Sequence, residues 1–246
     1  MPRLFLLLLF AGLGVSLPAA ALTAVEIFAR AGAGVVILDV LDAAGQPLTV
    51  QSATVIGAEQ LVTVCSGLEG AGQLQVRARS GQYAATVTAR DRERNLCLLS
   101  SRGLPESPLP AESGALPVGS RVLAVSNAMA LGVGISEGVL SAWRELPVGT
   151  LLQFTAPISP GSEGGALLDA QGRLVGIVDY RRRDGQNVNF AAPVAWVQDI
   201  DRRAQAAAAR LQRFDQAMAL LKGRQWKALQ ALAAQWSAEE ANEADA

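Results

Sequence analysis

Residues 158–180 read "ISPGSEGGALLDAQGRLVGIVDY". Pro160, Gly161, Gly164 and Gly165 crowd into six positions, a composition that marks a loop needing backbone conformations closed to ordinary side chains. The short apolar run "ALLD" follows, then the turn-type residues Asp169-Ala170-Gln171-Gly172, then a second β-type run, "RLVGIVDY". A strand, a tight turn and a second strand are therefore expected directly after the glycine-rich loop. Glu163, with Ser162 before it, sits at the centre of that loop.

The same texture extends outward. From residue 34 to about 192, short β-type runs alternate with turn residues: "GVVILDVL", "ATVIG", "LVTVC", "QLQVRAR", "AATVTAR", "LCLLS", "RVLAVS", "GVLSAW", "LLQFTA" and "NVNFAA" join the two above. About a dozen short strands at this spacing predict an all-β sandwich or barrel. Residues 103–119, "GLPESPLPAESGALPVG", hold four prolines and interrupt the strands midway. They read as a connector between half-domains at about 22–105 and 118–198.

Helical patterns flank the β region. "TAVEIFARAGAG" spaces Val25, Phe28 and Ala29 for a short helix with Thr23 as N-cap. Residues 199–246 follow the β region, and the helical pattern begins at Pro193. Val194, Val197, Ile200, Leu211, Phe214, Met218 and Leu221 recur at helical spacing up to Gly223, and Trp226, Leu229, Leu232, Ala233 and Trp236 form a second stripe. A helical hairpin packed against its own barrel is expected. The alternative is one partial repeat of a tetratricopeptide-like array, which needs about three copies for stability. The tail "SAEEANEADA" is acidic and small.

Composition narrows the function. Half of the 246 residues are hydrophobic and 17% are charged, so a core of ordinary size can form. The net charge of -1 offers no general attraction to nucleic acid or to an anionic membrane. Residues 1–21 have the form of a secretory signal: Arg3, an apolar stretch from Leu4 to Val15, and a small-residue site at Ala19-Ala20-Ala21. Export follows, with a mature charge of -2 once Arg3 is lost, and no membrane attachment is expected after cleavage. In an oxidising compartment Cys65 and Cys97 can pair with each other, or they can pack as two buried thiols. The chain contains no histidine, and its two lysines, Lys222 and Lys227, lie near the C-terminus.

Five blocks together resemble the trypsin-like serine proteases of the bacterial HtrA/Deg type. "TAPISPGSEGGALLDAQGRLVGI" is similar to that family's "TxxxxxPGxSGGPLxxxxGxLVGI", "LVTVCSGLEGA" to its "xVTNxHVVxGA" and "ARDRERNLCLL" to "xxDxxxDLALL". "SEGVLSAW" and "NVNFAAPVAW" are similar to two further blocks, in the family's order. The resemblance covers residues 22 to about 198. It implies a trypsin-like double β-barrel with a C-terminal α-helical extension.

Carried over position by position, the resemblance places the catalytic histidine at Ser66, the aspartate at Asn95 and the nucleophilic serine at Glu163. Ser126, Ala128 and Ala130 replace the glycine, proline and glycine of a flanking loop. Serine proteolysis needs a nucleophile and a base that takes its proton near neutral pH. Loss of the nucleophile or base alone lowers kcat by ~10⁶-fold, about 8 kcal/mol. Only carboxylates remain as bases here, and they would need strongly raised pKa values.

The family oxyanion hole, made by backbone N–H groups, falls at Gly161 and Glu163, where the Glu163 carboxylate is expected to fold back onto the donors or to point to solvent. The resemblance brings Cys65 and Cys97 close together, so a disulfide is implied; it would contribute on the order of 3–4 kcal/mol. Ser162 is the fallback nucleophile, beside a carboxylate. Arg181, Arg182 and Arg183 precede an Asp184-Gly185 turn near the cleft, either as a solvated hairpin edge or as a site for an anionic group. No metal or cofactor is called for. The expectation is an exported, non-catalytic protease homologue that binds a protein or an extended peptide. The alternative is a serine-type endopeptidase with a rearranged, histidine-free active site.

Overall fold

The computed structural model describes residues 21–112, 114–181 and 186–244, without the side chains of Arg181 and 238–244. Twelve strands form two closed antiparallel barrels. The first barrel contains β1 (Val35–Leu41), β2 (Pro47–Gly57), β3 (Gln60–Val64), β4 (Gln73–Ala78), β5 (Gly81–Asp91) and β6 (Leu96–Ser100), closed in the order β1-β2-β3-β6-β5-β4. The second contains β7 (Arg121–Ser126), β8 (Gly134–Leu146), β9 (Gly149–Phe154), β10 (Ala166–Asp169), β11 (Leu174–Arg181) and β12 (Asn189–Pro193), closed as β7-β8-β9-β12-β11-β10. The two barrels share one topology. This is the architecture that the sequence blocks implied.

The core explains why several strands read as continuous apolar runs. In β7, Val122 and Ala124 point into the second barrel, where they join Leu140, Phe154 and Leu167. Leu123 and Val125, on the opposite face, join Val35, Val62 and Leu96 of the first barrel. Alternating side chains thus serve two cores, and neither face of the strand is polar. Each Leu or Val buried in this way contributes about 1.5–3 kcal/mol.

The helix α1 (Ala24–Ala31) begins at Thr23, whose hydroxyl accepts from the Glu26 N–H at 3.2 Å while the Glu26 carboxylate accepts from the Thr23 N–H at 2.8 Å. This reciprocal cap fixes the helix start. Although α1 precedes the first barrel in sequence, it packs on the second: Ile27 is fully buried beside Leu123, Leu168 and Leu174. The Leu22 N–H donates to the Ala170 carbonyl at 2.9 Å, and Arg121 holds the Leu22 carbonyl. The half-domain beginning at residue 22 is therefore divided in space. The proline-rich connector bonds to both barrels, through the Leu109 N–H to Val55 and the Leu174 N–H to Pro110.

After a short 3₁₀ stretch at Val194–Asp199 come α2 (Ile200–Lys222) and α3 (Trp226–Ala244). The start of α2 is clamped to the turn after β5. Arg203 pairs with the buried Asp91 at 2.6 Å, and the Arg94 guanidinium lies 4.6 Å from the Trp196 ring centroid. Farther along, Leu211, Phe214 and Trp226 are more than half exposed. The expected barrel-packed hairpin is thus corrected: only the base of α2 packs, because the helix outruns the barrel wall beneath it. No helix among the described residues is long and apolar enough to cross a membrane. The signal-type segment lies outside the described residues, apart from Ala21.

Candidate functional site

The glycine-rich loop is shaped by both barrels. Gly161 has φ +93°, and a Cβ there would lie 2.7 Å from the Asn127 carbonyl oxygen. Gly164 has φ +83°, and its Cβ would lie 2.1 Å from the Ser52 carbonyl oxygen. Glycine is required at both for conformation and for space. Strand β2 holds the loop from one side: the Ser52 N–H donates to the Glu163 carbonyl at 2.9 Å, the Ser52 hydroxyl to the Gly161 carbonyl at 2.8 Å, and the Thr54 hydroxyl to the Gly164 carbonyl at 2.9 Å. Strand β11 holds it from the other, through paired bonds of 2.8 Å between Val178 and Gly164 and Gly165. With its backbone so fixed, the Glu163 side chain turns back, and its Oε2 accepts the Gly161 N–H at 2.7 Å.

Across from the loop, β3 ends at a tight turn carrying Ser66, and Asn95 lies between β5 and β6 with φ +56°. Asparagine tolerates that left-handed conformation better than most residues. The Asn95 carbonyl accepts the Cys65 N–H at 3.0 Å, and its Oδ1 accepts the Ser66 N–H at 2.8 Å. The Asn95 Nδ2 donates to the Ser66 hydroxyl oxygen at 3.2 Å and to Asp179 Oδ1 at 2.7 Å. Cys65 and Cys97 form a disulfide beside this pair, with their Cα atoms 5.1 Å apart.

Asp179 was not anticipated. Its strand pairing with β12 shifts register between Val178 and Tyr180, so Asp179 is the extra residue of a bulge. Bulges re-aim side chains, and this one directs a carboxyl group at Asn95. Burial pushes the Asp179 carboxyl up to about 6; the Glu163 carboxylate adds to the rise and the Asn95 amide opposes it. The sequence signal was an acid within the otherwise apolar "LVGIVDY".

The structure brings Ser66, Asn95, Glu163 and Asp179 to one place. Ser162 does not face the cleft: it is fully buried, and its hydroxyl oxygen accepts from Ser126 at 3.0 Å and from the Ser159 N–H at 3.2 Å. The fallback nucleophile is thus withdrawn into the loop's own hydrogen bonding. Arg181 ends β11 opposite Asn189; its side chain, Arg182, Arg183 and the Asp184-Gly185 turn lie outside the described residues. A polar cleft of about 650 Å³ opens beside Ser66 and Asn95, with Arg90, Arg92 and Glu69 in its lining.

Chemically, the site holds a hydroxyl, an amide and two carboxylates. An acid near 6 is suited to act as a base at neutral pH. The Asn95 NH₂ stands between Asp179 and the Ser66 hydroxyl, however, and an amide NH₂ donates without accepting the serine proton. Among the described residues, no group of three or more acidic or cysteine side chains is arranged to hold a metal ion.

Fold and sequence converge on one class, that of the double-barrel peptidases. The family model of the trypsin-like peptidase domain matches residues 51–177, just over half of the chain, and the chain belongs to that family. It is 30% identical over 149 residues to the serine endoprotease DegS of Haemophilus influenzae, covering 55% of this chain and 44% of that protein. A putative serine protease, HhoA of Synechocystis, is 29% identical over 147 residues, covering 54% and 37%. The chain spans less than half the length of these curated relatives. The solved structure of the HtrA-type protease AlgW with tripeptide superposes with a TM-score of 0.67 at 27% identity, over 73% of this chain and 62% of that one. The active form of the Rv3671c protease from M. tuberculosis shares the fold, with a TM-score of 0.68 at 20% identity over 76% of this chain and 88% of that one.

Proposed function

We propose that this protein is an exported, non-catalytic member of the trypsin-like family whose cleft holds an extended segment of another protein. One observation carries the reading: there is no histidine anywhere in the chain, and a glutamate occupies the position that the resemblance gives to the nucleophile. Acyl transfer by this fold needs a hydroxyl that loses its proton to a base and a base that returns it to the leaving amine. The two hydroxyls that the sequence offers at or beside the triad positions are unsuited, Ser162 by burial and Ser66 because an amide stands between it and Asp179.

The Glu163 carboxylate supports the reading a second way. It occupies the Gly161 N–H, one of the two positions that the resemblance assigns to the oxyanion hole. A donor already holding a carboxylate does not stabilise a developing oxyanion. The scaffold around it is retained: β2 and β11 still hold the glycine-rich loop in place, and backbone groups beside it can bond an extended chain without a triad. Export to the periplasm is supported by the signal-type N-terminus and the disulfide, and a relative named a probable periplasmic serine endoprotease, of the DegP-like kind from Buchnera aphidicola, is 28% identical over 163 residues.

The test is hydrolysis of casein by the purified protein, prepared from a host lacking its own periplasmic proteases. No turnover above buffer is expected. Turnover that survives repurification and disappears in Ser66→Ala or Ser162→Ala would establish a histidine-free enzyme and overturn the proposal.

A further inference from the structure

We infer that the cleft selects its peptide by a carboxylate group, held between Arg90 and Arg92. The inference rests on the peptide-binding reading above and names the chemistry of the first-barrel side of that site, which shares Ser66 and Asn95 with it. Arg90 is the penultimate residue of β5, and Arg92 is the first beyond it. Both line the 650 Å³ cleft with Ser66 and Asn95.

Neither arginine is engaged by an acid among the described residues. Arg77, Arg94, Arg121, Arg173, Arg202 and Arg203 all form ion pairs, whereas Arg90 and Arg92 form none. Arg90 is nonetheless positioned: its Nη1 lies 3.9 Å from Cys97 Sγ, against the disulfide. A guanidinium held in place gives up little freedom on binding, and its planar fork matches the two oxygens of a carboxylate. Ser66 adds a donor. Its oxygen already accepts from Asn95, which leaves its own O–H for a ligand.

The acids nearby define how a ligand sits. Glu69 is on the exposed rim of the same cleft and opposes the two arginines in part. Asp179 lies on the far side of the Asn95 amide, towards Glu163. A bound carboxylate therefore sits on the β5 side of Asn95, away from those two acids. Both an acidic side chain and a chain terminus carry this chemistry.

Fluorescence anisotropy on the purified protein distinguishes them, using four N-terminally labelled decapeptides of one extended, alanine-rich sequence. The first contains Asp and Glu and is amidated; the second contains Asn and Gln and is amidated; the third is the second with a free C-terminal carboxylate; the fourth contains Lys and is amidated. At low salt, one or both carboxylate-bearing peptides should bind about tenfold tighter than the amidated neutral peptide, with Lys weakest. Whichever of the first and third binds better identifies the source of the carboxylate. Arg92→Gln, at an exposed position, and Arg90→Gln should each remove most of that preference, while Glu69→Gln should raise it. Equal binding of all four peptides, unaffected by these variants, would overturn the carboxylate preference and leave the peptide-binding reading intact. Binding of none would overturn both.

Discussion

Asp179 and Glu163 set the chemistry of this site, and each can be interrogated alone. Asp179 is a carboxyl whose folded pKa, about 6, lies above its ordinary value of 3.8. The folded state therefore binds its proton more tightly than the unfolded state does. Well below pH 3.8 both states are protonated and the group has no effect; as pH rises through 3.8 towards 6 the unfolded state ionises first, and stability falls. Above that window the full penalty, about 3 kcal/mol, remains. Asp179→Asn should thus stabilise the protein by about 1–3 kcal/mol at pH 8 and by little at pH 4, read from urea unfolding at the two pH values. An equal change at both would refute the assignment. Glu163→Gln removes a neighbouring charge while keeping an acceptor for Gly161. The Asp179 pKa should then fall yet stay above the ordinary value, because burial is the larger cause; carboxyl carbon NMR across a pH titration reports it.

The glycine-rich loop and the disulfide act as elements, joining segments that the chain keeps apart. Gly164→Ala meets the Ser52 carbonyl at 2.1 Å and adopts φ +83°, whereas Gly103→Ala, at φ +80°, has nothing within 4 Å. The first combines a backbone clash with strain and should lose about 2–4 kcal/mol; the second carries strain alone and should lose about 1 kcal/mol. Thermal unfolding of the two variants side by side separates space from conformation, and equal losses would contradict the packing of the loop on β2. The bridge between Cys65 and Cys97 spans a sequence separation of 32 and ties the Ser66 turn to the Asn95 turn. Replacing both cysteines by alanine should lower stability by about 3–4 kcal/mol, and a reductant should shift the denaturation midpoint of the native protein but not of the variant.

At the scale of the whole molecule, the C-terminal helices divide into a docked base and a projecting remainder. Arg203 neutralises the buried Asp91 and also reaches Glu93, in the turn leading to Asn95. Arg203→Ala leaves a buried carboxylate without its cation and should destabilise the protein by about 3 kcal/mol. Truncation after Gly223 removes α3, whose main packing partner is α2, and should leave barrel unfolding within about 0.5 kcal/mol of the intact chain. Calorimetry on both variants tests this division. A large loss on truncation would mean that α3 supports the barrels directly.

What the sequence determined by itself is local or compositional. Strand texture, the Thr23 cap, the glycine-rich loop and the missing imidazole each depend on neighbouring residues or on a simple count. The five motif blocks extended that reading to the double barrel, and the cysteine pairing followed from it. Tertiary structure decided the rest. Asp179 meets Asn95 across 84 residues, by way of a bulge that no periodicity announces. Ser162 and Glu163 are adjacent in sequence, yet one is buried and the other turns back onto Gly161, because β2 and β11 fix the loop between them. The placement of α1 on the second barrel and the exposure of the hairpin likewise depend on which surfaces the barrels leave beside them, a property of the assembled fold rather than of any segment.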